Sequence, residues 1–449
     1  RSALSTSITH YAYGDLVSDE ITDVVGGDGA FRDVFLKNWG IGIPFANTWD
    51  PRIKLRVYTN FYAAIAQSNR CLYYINQMPV DAFEGSSTEE KQKRKNKYLG
   101  EAYFTRAFNY FYMTRIWGDV PLVTEHITDP STAQQLPRTP QAQVLAKAIE
   151  DLQQAKNFLD WKDNGAADRV VRGDKGAVNA LLAHIYAWQG KYEECAAACD
   201  AVIQSGGYSL VDANDYLSIY KGKSSEGIFE LASSPSESQI ATDAWTITGV
   251  TLTRPYIEGP VIPAWQINTG LTNWLYSNSE DVRYKKAFVE LNNNGATVVE
   301  CIKYANIQNI NNNPANQIAV NNIIVFRLAD ILLLKAEALA AKAAPDPGGA
   351  MALVNQIRSN RGLAADPISG LSGTDLLYAI ADERGRELFL EGHRYYDLVR
   401  LERLTKAEEV PFVTYAEFSA GKYYWPLDPT LFLTNSNLTQ TPFWRDKMK

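Results

Sequence analysis

The sequence predicts a mainly α-helical protein in which tetratricopeptide-like helical pairs support a loop-rich insert and an extended C-terminal tail. Three observations predict this class. Apolar residues recur at helical spacing through residues 53–205 and again through 323–404. Within each of those stretches a helix, tight turn, helix pattern can be read. Between them, Tyr208 to Asn322 loses the rhythm and gathers tryptophans, tyrosines, prolines, glycines and asparagines.

Taken in order, residues 1 to 52 are broken by Gly26, Gly27, Gly29, Gly40, Gly42, Pro44 and Pro51 and read as irregular surface loops. A helix is expected from Ile53 to about Met78, with Leu55, Tyr58, Tyr62, Ile65, Leu72 and Ile75 on its apolar face and Pro79 ending it. Lys91 to Trp117 gives a second helix with two adjacent aromatic stripes, Phe104, Phe108, Phe111 and Tyr103, Ala107, Tyr110. Ser87-Thr88-Glu89-Glu90 before it fits a capping box, so the basic run Lys91 to Lys97 reads as a solvated helix start. Thr139-Pro140 supplies an N-cap and an N1 proline for a third helix. Helical pairs follow near Asp174 to Ile203 and at Ile323 to Ala341 with Gly349 to Arg361. The insert, residues 206–322, holds short β-prone runs such as Thr246 to Thr253, and residues 405–449, rich in proline, read as a wrapping tail.

Composition narrows the function classes. The chain has 449 residues, 46% hydrophobic and 21% charged, enough for two or three domains or one large α-rich unit. No apolar run is long enough to cross a bilayer. A net charge of -7 argues against a nucleic-acid surface, which needs clustered Lys and Arg. Cys71, Cys195, Cys199 and Cys301 form no C-x-x-C pair and read as small buried residues. His10, His126, His184 and His393 are too scattered for a local zinc motif, so neither a metal nor a cofactor is expected. Arg1-Ser2 opens the chain without an initiator Met, as a trimmed mature form would.

The stretch with the densest charge pattern is Asp382 to Arg400. Glu383, Glu387 and Glu391 recur every fourth residue and would line one face of a single helix. Arg384, Arg386 and Arg394, interleaved with them, are the expected partners. The run Glu383-Arg384, Glu387-Leu388, Glu391-Gly392, Arg394, Asp397-Leu398 and Arg400 resembles the C-terminal signature of the SusD/RagB family. Gly100-Glu101-Ala102, Arg106-Ala107-Phe108 and Trp117 to Leu122 resemble that family's N-terminal helix and its exit. Arg327 to Asp330, Lys335 to Leu339, Val354 to Arg358, Tyr424 to Leu427 and Asn437 to Gln440 resemble later segments, in the right order. The resemblance implies a SusD-like fold in one unit and a cell-surface lipoprotein of the outer membrane, its lipid-bearing Cys preceding Arg1. It implies capture of nutrient glycan for a TonB-dependent (SusC-like) transporter, without catalysis. Peptide cargo in the same role stays open, and so does a glycoside hydrolase.

Enzyme signatures fail at identifiable positions. Gly222-Lys223-Ser224 ends like a phosphate loop, but Leu217 stands where its first glycine is needed. Gly27-Asp28-Gly29 lacks the third glycine of a dinucleotide fingerprint, Arg32 being there instead. For a glycan binder the relevant chemistry is a flat aromatic face beside planar polar groups. Trp39, Asn47 and Trp49 from the first loops, with Tyr256, Trp265, Trp274 and Tyr276 from the insert, are the expected ligand residues, forming an exposed patch where the two regions meet. Asp281 and Arg283 read as a structural pair.

Overall fold

Thr59–Gln77 and Thr88–Trp117 form the first antiparallel helical pair of the computed structural model, which describes residues 8–25, 30–39, 50–161, 164–233, 239–293, 295–313 and 315–448. The helix expected from Ile53 is in two pieces: a single turn, Pro51–Lys54, capped by Asp50, and then Thr59–Gln77. At the second helix Ser87 accepts from the Glu90 N–H at 3.2 Å, as a cap should. The Glu90 carboxylate, however, reaches back to the Ser86 N–H at 2.7 Å, so the box closes one residue early. The third helix, Gln141–Phe158, begins after Pro140 without a Thr139 cap. Thr139 is drawn into a bridge with Val120, and Asp119 accepts the Gln141 N–H at 2.8 Å instead.

Lys175–Trp188 and Tyr192–Gln204 make the next pair, turning at Gly190 with φ of +72°. The later set consists of Leu328–Ala341, Pro347–Arg358, Gly373–Glu387 and Arg394–Thr405. Leu328–Ala341 is apolar on nearly all sides and is correspondingly buried. It packs on Lys175–Trp188 and Tyr192–Gln204, and also on Pro347–Arg358 and Gly373–Glu387, joining both helical regions through one core.

The insert departs from helical pairing, as expected, and is built from small antiparallel ladders. Gly227–Leu231 pairs with Ile323–Arg327, Ile21–Val24 with Trp265–Ile267, and Phe288–Asn293 with Ala296–Cys301. Two local expectations are reversed. Ile323–Arg327 is a strand and not the start of a helix, because its β-branched run fits a ladder. Ile247–Thr251 is a helix and not a strand, because Thr246 caps it by accepting from the Gly249 N–H at 2.8 Å.

The charged stretch is likewise two helices rather than one. Gly373–Glu387 and Arg394–Thr405 are separated by a turn in which Leu390 has φ of +55° and Gly392 φ of +79°. A Cβ on Gly392 would lie 2.2 Å from Nε2 of His10, so the site admits no side chain. The Gly392 N–H donates to the Asp15 carboxylate at 2.8 Å, fastening the N-terminal segment beneath the turn. The tail adds Trp425 N–H to Ile116 C=O at 2.8 Å and an Arg56 to Asp428 ion pair at 2.8 Å, wrapping the first helical pair.

Candidate functional site

The carboxylates of the signature stretch are candidates to be tested first, since a hydrolase needs two of them. Glu383, Glu387 and Glu391 are each at most 1% exposed. Their partners are mostly not the interleaved arginines. Glu387 binds Arg327 and Arg361 at 2.8 Å and Arg283 at 3.1 Å, while Glu391 binds Arg327 at 2.7 Å and Lys303 at 2.9 Å. Glu383 binds Arg283 and Arg358, and of the three expected arginines only Arg386 joins it, at 3.0 Å. Arg384 pairs instead with Asp330 and Asp397, and Arg394 with Asp19. The break after Glu387 accounts for Arg394, which the second helix carries to Asp19, while Arg384, on the same helix as Glu383 and Glu387, meets Asp330 and Asp397 instead. Burial alone would raise the Glu387 carboxyl, but Arg361, Arg327 and Arg283 outweigh it and hold it well below the ordinary range. A carboxylate so placed neither donates a proton at neutral pH nor meets a substrate. Arg283 also takes Asp281 at 2.6 Å, the structural pair read from the sequence.

Among the described residues, His184, Asp330 and His393 are the group able to hold a metal ion, their donor atoms lying within 4.8 Å of one another. His184 Nε2 and Asp330 share a 2.7 Å hydrogen bond, His184 stacks on His393 at 5.7 Å, and Arg384 occupies the other Asp330 oxygen at 3.0 Å. The guanidinium already neutralises the one carboxylate, so the donor set is that of a buried structural cluster.

The expected aromatic patch separates into three environments. Trp39 is 4% exposed and packs on Trp425 at 4.9 Å beneath the tail, so it belongs to the core. Trp265 is fully buried, since its strand pairs with Ile21–Val24 and turns the indole inward against Phe31 at 5.9 Å. Tyr276 is also buried, its hydroxyl donating to the Arg386 carbonyl at 2.7 Å and its ring lying 5.1 Å from Phe288. These three are corrections to the sequence reading: each anchors a loop segment to the body. Asn47 and Trp49 lie outside the described residues. Tyr256 is half-buried over a small cluster with Ala241, Leu252 and Ile257.

Among the described residues, Trp274 alone of the nominated aromatics is widely open, at 66% exposure. It sits on the Thr269–Leu275 helix, capped by Asn268, whose other amide atom donates to the Asp19 carbonyl at 3.0 Å. That helix packs on Gly373–Glu387, and Trp274 lies beside the Asp382 carboxylate. The ring is therefore presented to solvent by a rigid support, beside exposed Asn273. Two surface aromatic groups escaped the sequence reading. Trp245 of the insert is half-buried, with Lys54 Nζ 4.2 Å from its ring centre and Phe31 at 5.4 Å, so the first loops and the insert do meet there. Tyr73, Tyr74 and His126 form a second group with ring centres 5.1 to 5.3 Å apart. Trp245 meets Lys54 and Phe31, and the Tyr73-Tyr74 pair meets His126, only through segments distant in the chain.

Comparison with known proteins agrees with this architecture. Residues 282–444 match a family profile described as "SusD family", and residues 31–187 one described as "Starch-binding associating with outer membrane". "SusD-like protein P38" of Formosa agariphila is 28% identical over 426 residues, 85% of this chain and 78% of that protein. A crystal structure of a SusD homolog from Bacteroides thetaiotaomicron superposes with a TM-score of 0.80 at 28% identity, covering 98% of this chain and 94% of that one. A second SusD superfamily structure from the same organism gives 0.77 at 26% identity, over 99% and 95%. A "Laminarin binding SusD-like protein" shares the fold at 22% identity, with a TM-score of 0.73 over 98% of both chains. With the signature lattice, the helical pairs and the insert all in place, the chain belongs to the SusD/RagB family.

Proposed function

We propose that the protein captures nutrient glycan at the cell surface and passes it to a TonB-dependent outer-membrane transporter, held to the membrane by a lipid anchor. The observation that carries the reading is Trp274, an indole 66% exposed on a supported helix. Exposing so much apolar area on one rigid ring is disfavoured in water unless a ligand covers it. A pyranose offers a C–H face to the ring, and Asn273 and Asp382 lie within the same surface to meet its hydroxyls. The family description of starch binding and outer-membrane association supports the same class. A non-enzymatic role is supported by the burial of the densest carboxylate cluster.

One stacking face contributes roughly 0.5 to 1.5 kcal/mol, so Trp274→Ala is expected to weaken glycan binding about two- to tenfold with the melting temperature kept. Calorimetry with pullulan, laminarin, polygalacturonate and a tryptic peptide pool would check it. Binding of peptides alone would reassign the cargo, and new reducing ends on incubation with either glucan would overturn the non-enzymatic part.

A further inference from the structure

A cavity of about 450 Å³ opens between the Thr88–Trp117 helix and the Gly227–Leu231 strand. Its floor is Phe104, Phe108 and Phe229, whose rings pack at 4.9 to 6.1 Å, mostly edge to face. The size is that of a small-molecule site, and the mix of an apolar floor with a few converging polar groups is typical of one. A second cavity, of about 510 Å³, adjoins it and shares Glu101, Thr105 and Arg172. Glu101 and Arg172 form an ion pair across this common rim, with Arg172 Nε 2.9 Å from the carboxylate.

The polar groups decide what fits. Asn109 is 4% exposed and spends its amide N–H on the Thr105 carbonyl at 2.7 Å, leaving the carboxamide oxygen as an acceptor on the cavity wall. Glu101 and Asp168 line the same space, with Arg172 the cation there, already engaged by Glu101, while the carboxylate of Glu230 is taken by the Lys223 N–H at 2.8 Å and by Asn322 at 2.7 Å. With Glu101 and Arg172 paired, Asp168 leaves the balance of charge negative, and the Asn109 oxygen is the open acceptor. An anionic ligand would be repelled. A wholly apolar one would strip water from Asn109 and the carboxylates with nothing in exchange. A neutral polyhydroxylated ring answers both demands, since its hydroxyls donate and its C–H face meets the phenyl edges.

We propose that this cavity is a second glycan subsite, separate from Trp274, that holds a neutral hexopyranose unit. It stands on its own geometry and does not require the Trp274 platform to bind. Saturation-transfer NMR on the full chain tests it with methyl glucoside, methyl galactoside, methyl mannoside and glucuronate as probes. Thr105, exposed at the shared rim, is the place to block: Thr105→Trp fills both mouths, and Thr105→Gln narrows them if the larger residue prevents folding. The expected result is transfer to at least one neutral glycoside in the wild type and in Trp274→Ala. That transfer should weaken roughly tenfold or more in the Thr105 variants, with glucuronate silent throughout. Equal binding by the Thr105 variants, preference for glucuronate, or no transfer to any neutral glycoside would overturn the proposal. If Trp274→Ala abolishes polysaccharide binding while the glycoside signal persists, the two sites are distinct. If polysaccharides never bind but the glycoside does, the Trp274 reading fails alone.

Discussion

The Glu387 lattice and the Trp274 helix touch each other, yet they treat costly groups in opposite ways. In the lattice, charges that water would solvate are buried, and each is met by several partners from other segments: Arg283 from the insert, Arg327 at the end of a strand, and Arg361 beyond a helix. On Thr269–Leu275 an apolar ring that the core would accept is left outside. The first arrangement closes off chemistry and fixes how insert and helices sit together. The second keeps a surface available at the expense of exposed apolar area. A residue type therefore carries little functional meaning here until its packing is known: Trp265 and Trp274, nine positions apart, fall on opposite sides of the same divide.

The sharpest way to break that contrast is Glu387→Ala. It removes a shared carboxylate from three fully buried guanidiniums, and is expected to cost about 3 to 5 kcal/mol. Chemical denaturation would measure it, and glycan affinity of the folded fraction should stay unchanged. Lost affinity at full stability would move the lattice into the binding site.

Next in size is Trp265→Ala, which leaves a cavity under the insert and is expected to cost about 3 kcal/mol, toward the low end for a core tryptophan. The low end is chosen because the Trp265 indole N–H is buried without a hydrogen-bond partner among the described residues, a penalty that the substitution also removes. A thermal scan beside Trp274→Ala should show loss of stability in the first and none in the second.

The smallest effect is expected from mild acid. Burial lowers His393 from 6.5 to about 4 and His10 to about 3, so their contribution is complete above pH 6.5 and falls as pH drops toward those values. Burial alone would raise Glu391, but Arg327 and Lys303 hold it at about 2, so its contribution is lost only between 4.5 and about 2. Urea midpoints should thus begin to decline below about pH 6.5 and steepen below about pH 4.5. A midpoint that rose on acidification would show that the Asp15 and Glu20 carboxyls, which burial pushes up and which add stability as pH falls, outweigh the histidines. Trp274 carries no titrating group, so binding measured on folded protein should follow pH only through Asp382, whose carboxyl burial pushes up.

Local periodicity was enough to reveal the helical pairs, the end of the second helix at Trp117 and the change of character in the insert, because each depends on residues within a turn or two. The signature glutamates could be recognised as structural from their spacing and their arginine-rich surroundings. Their actual partners could not, because Arg283, Arg327 and Arg361 arrive from far along the chain. The same limit governs the aromatics. Composition marks the insert as rich in rings, but whether an indole is a core anchor or an open face depends on which strand or helix lands on it. Pairing with Ile21–Val24 buried Trp265, the tail covered Trp39, and the hydroxyl of Tyr276 was captured by the Arg386 carbonyl. Trp274 stayed outside because its helix uses Leu275 and Thr272 against the body, leaving the neighbouring position toward water. Sequence determined the elements and their order through short-range sterics and hydrogen bonding; burial, charge pairing and the two candidate sites were decided by contacts between segments that only the tertiary fold brings together.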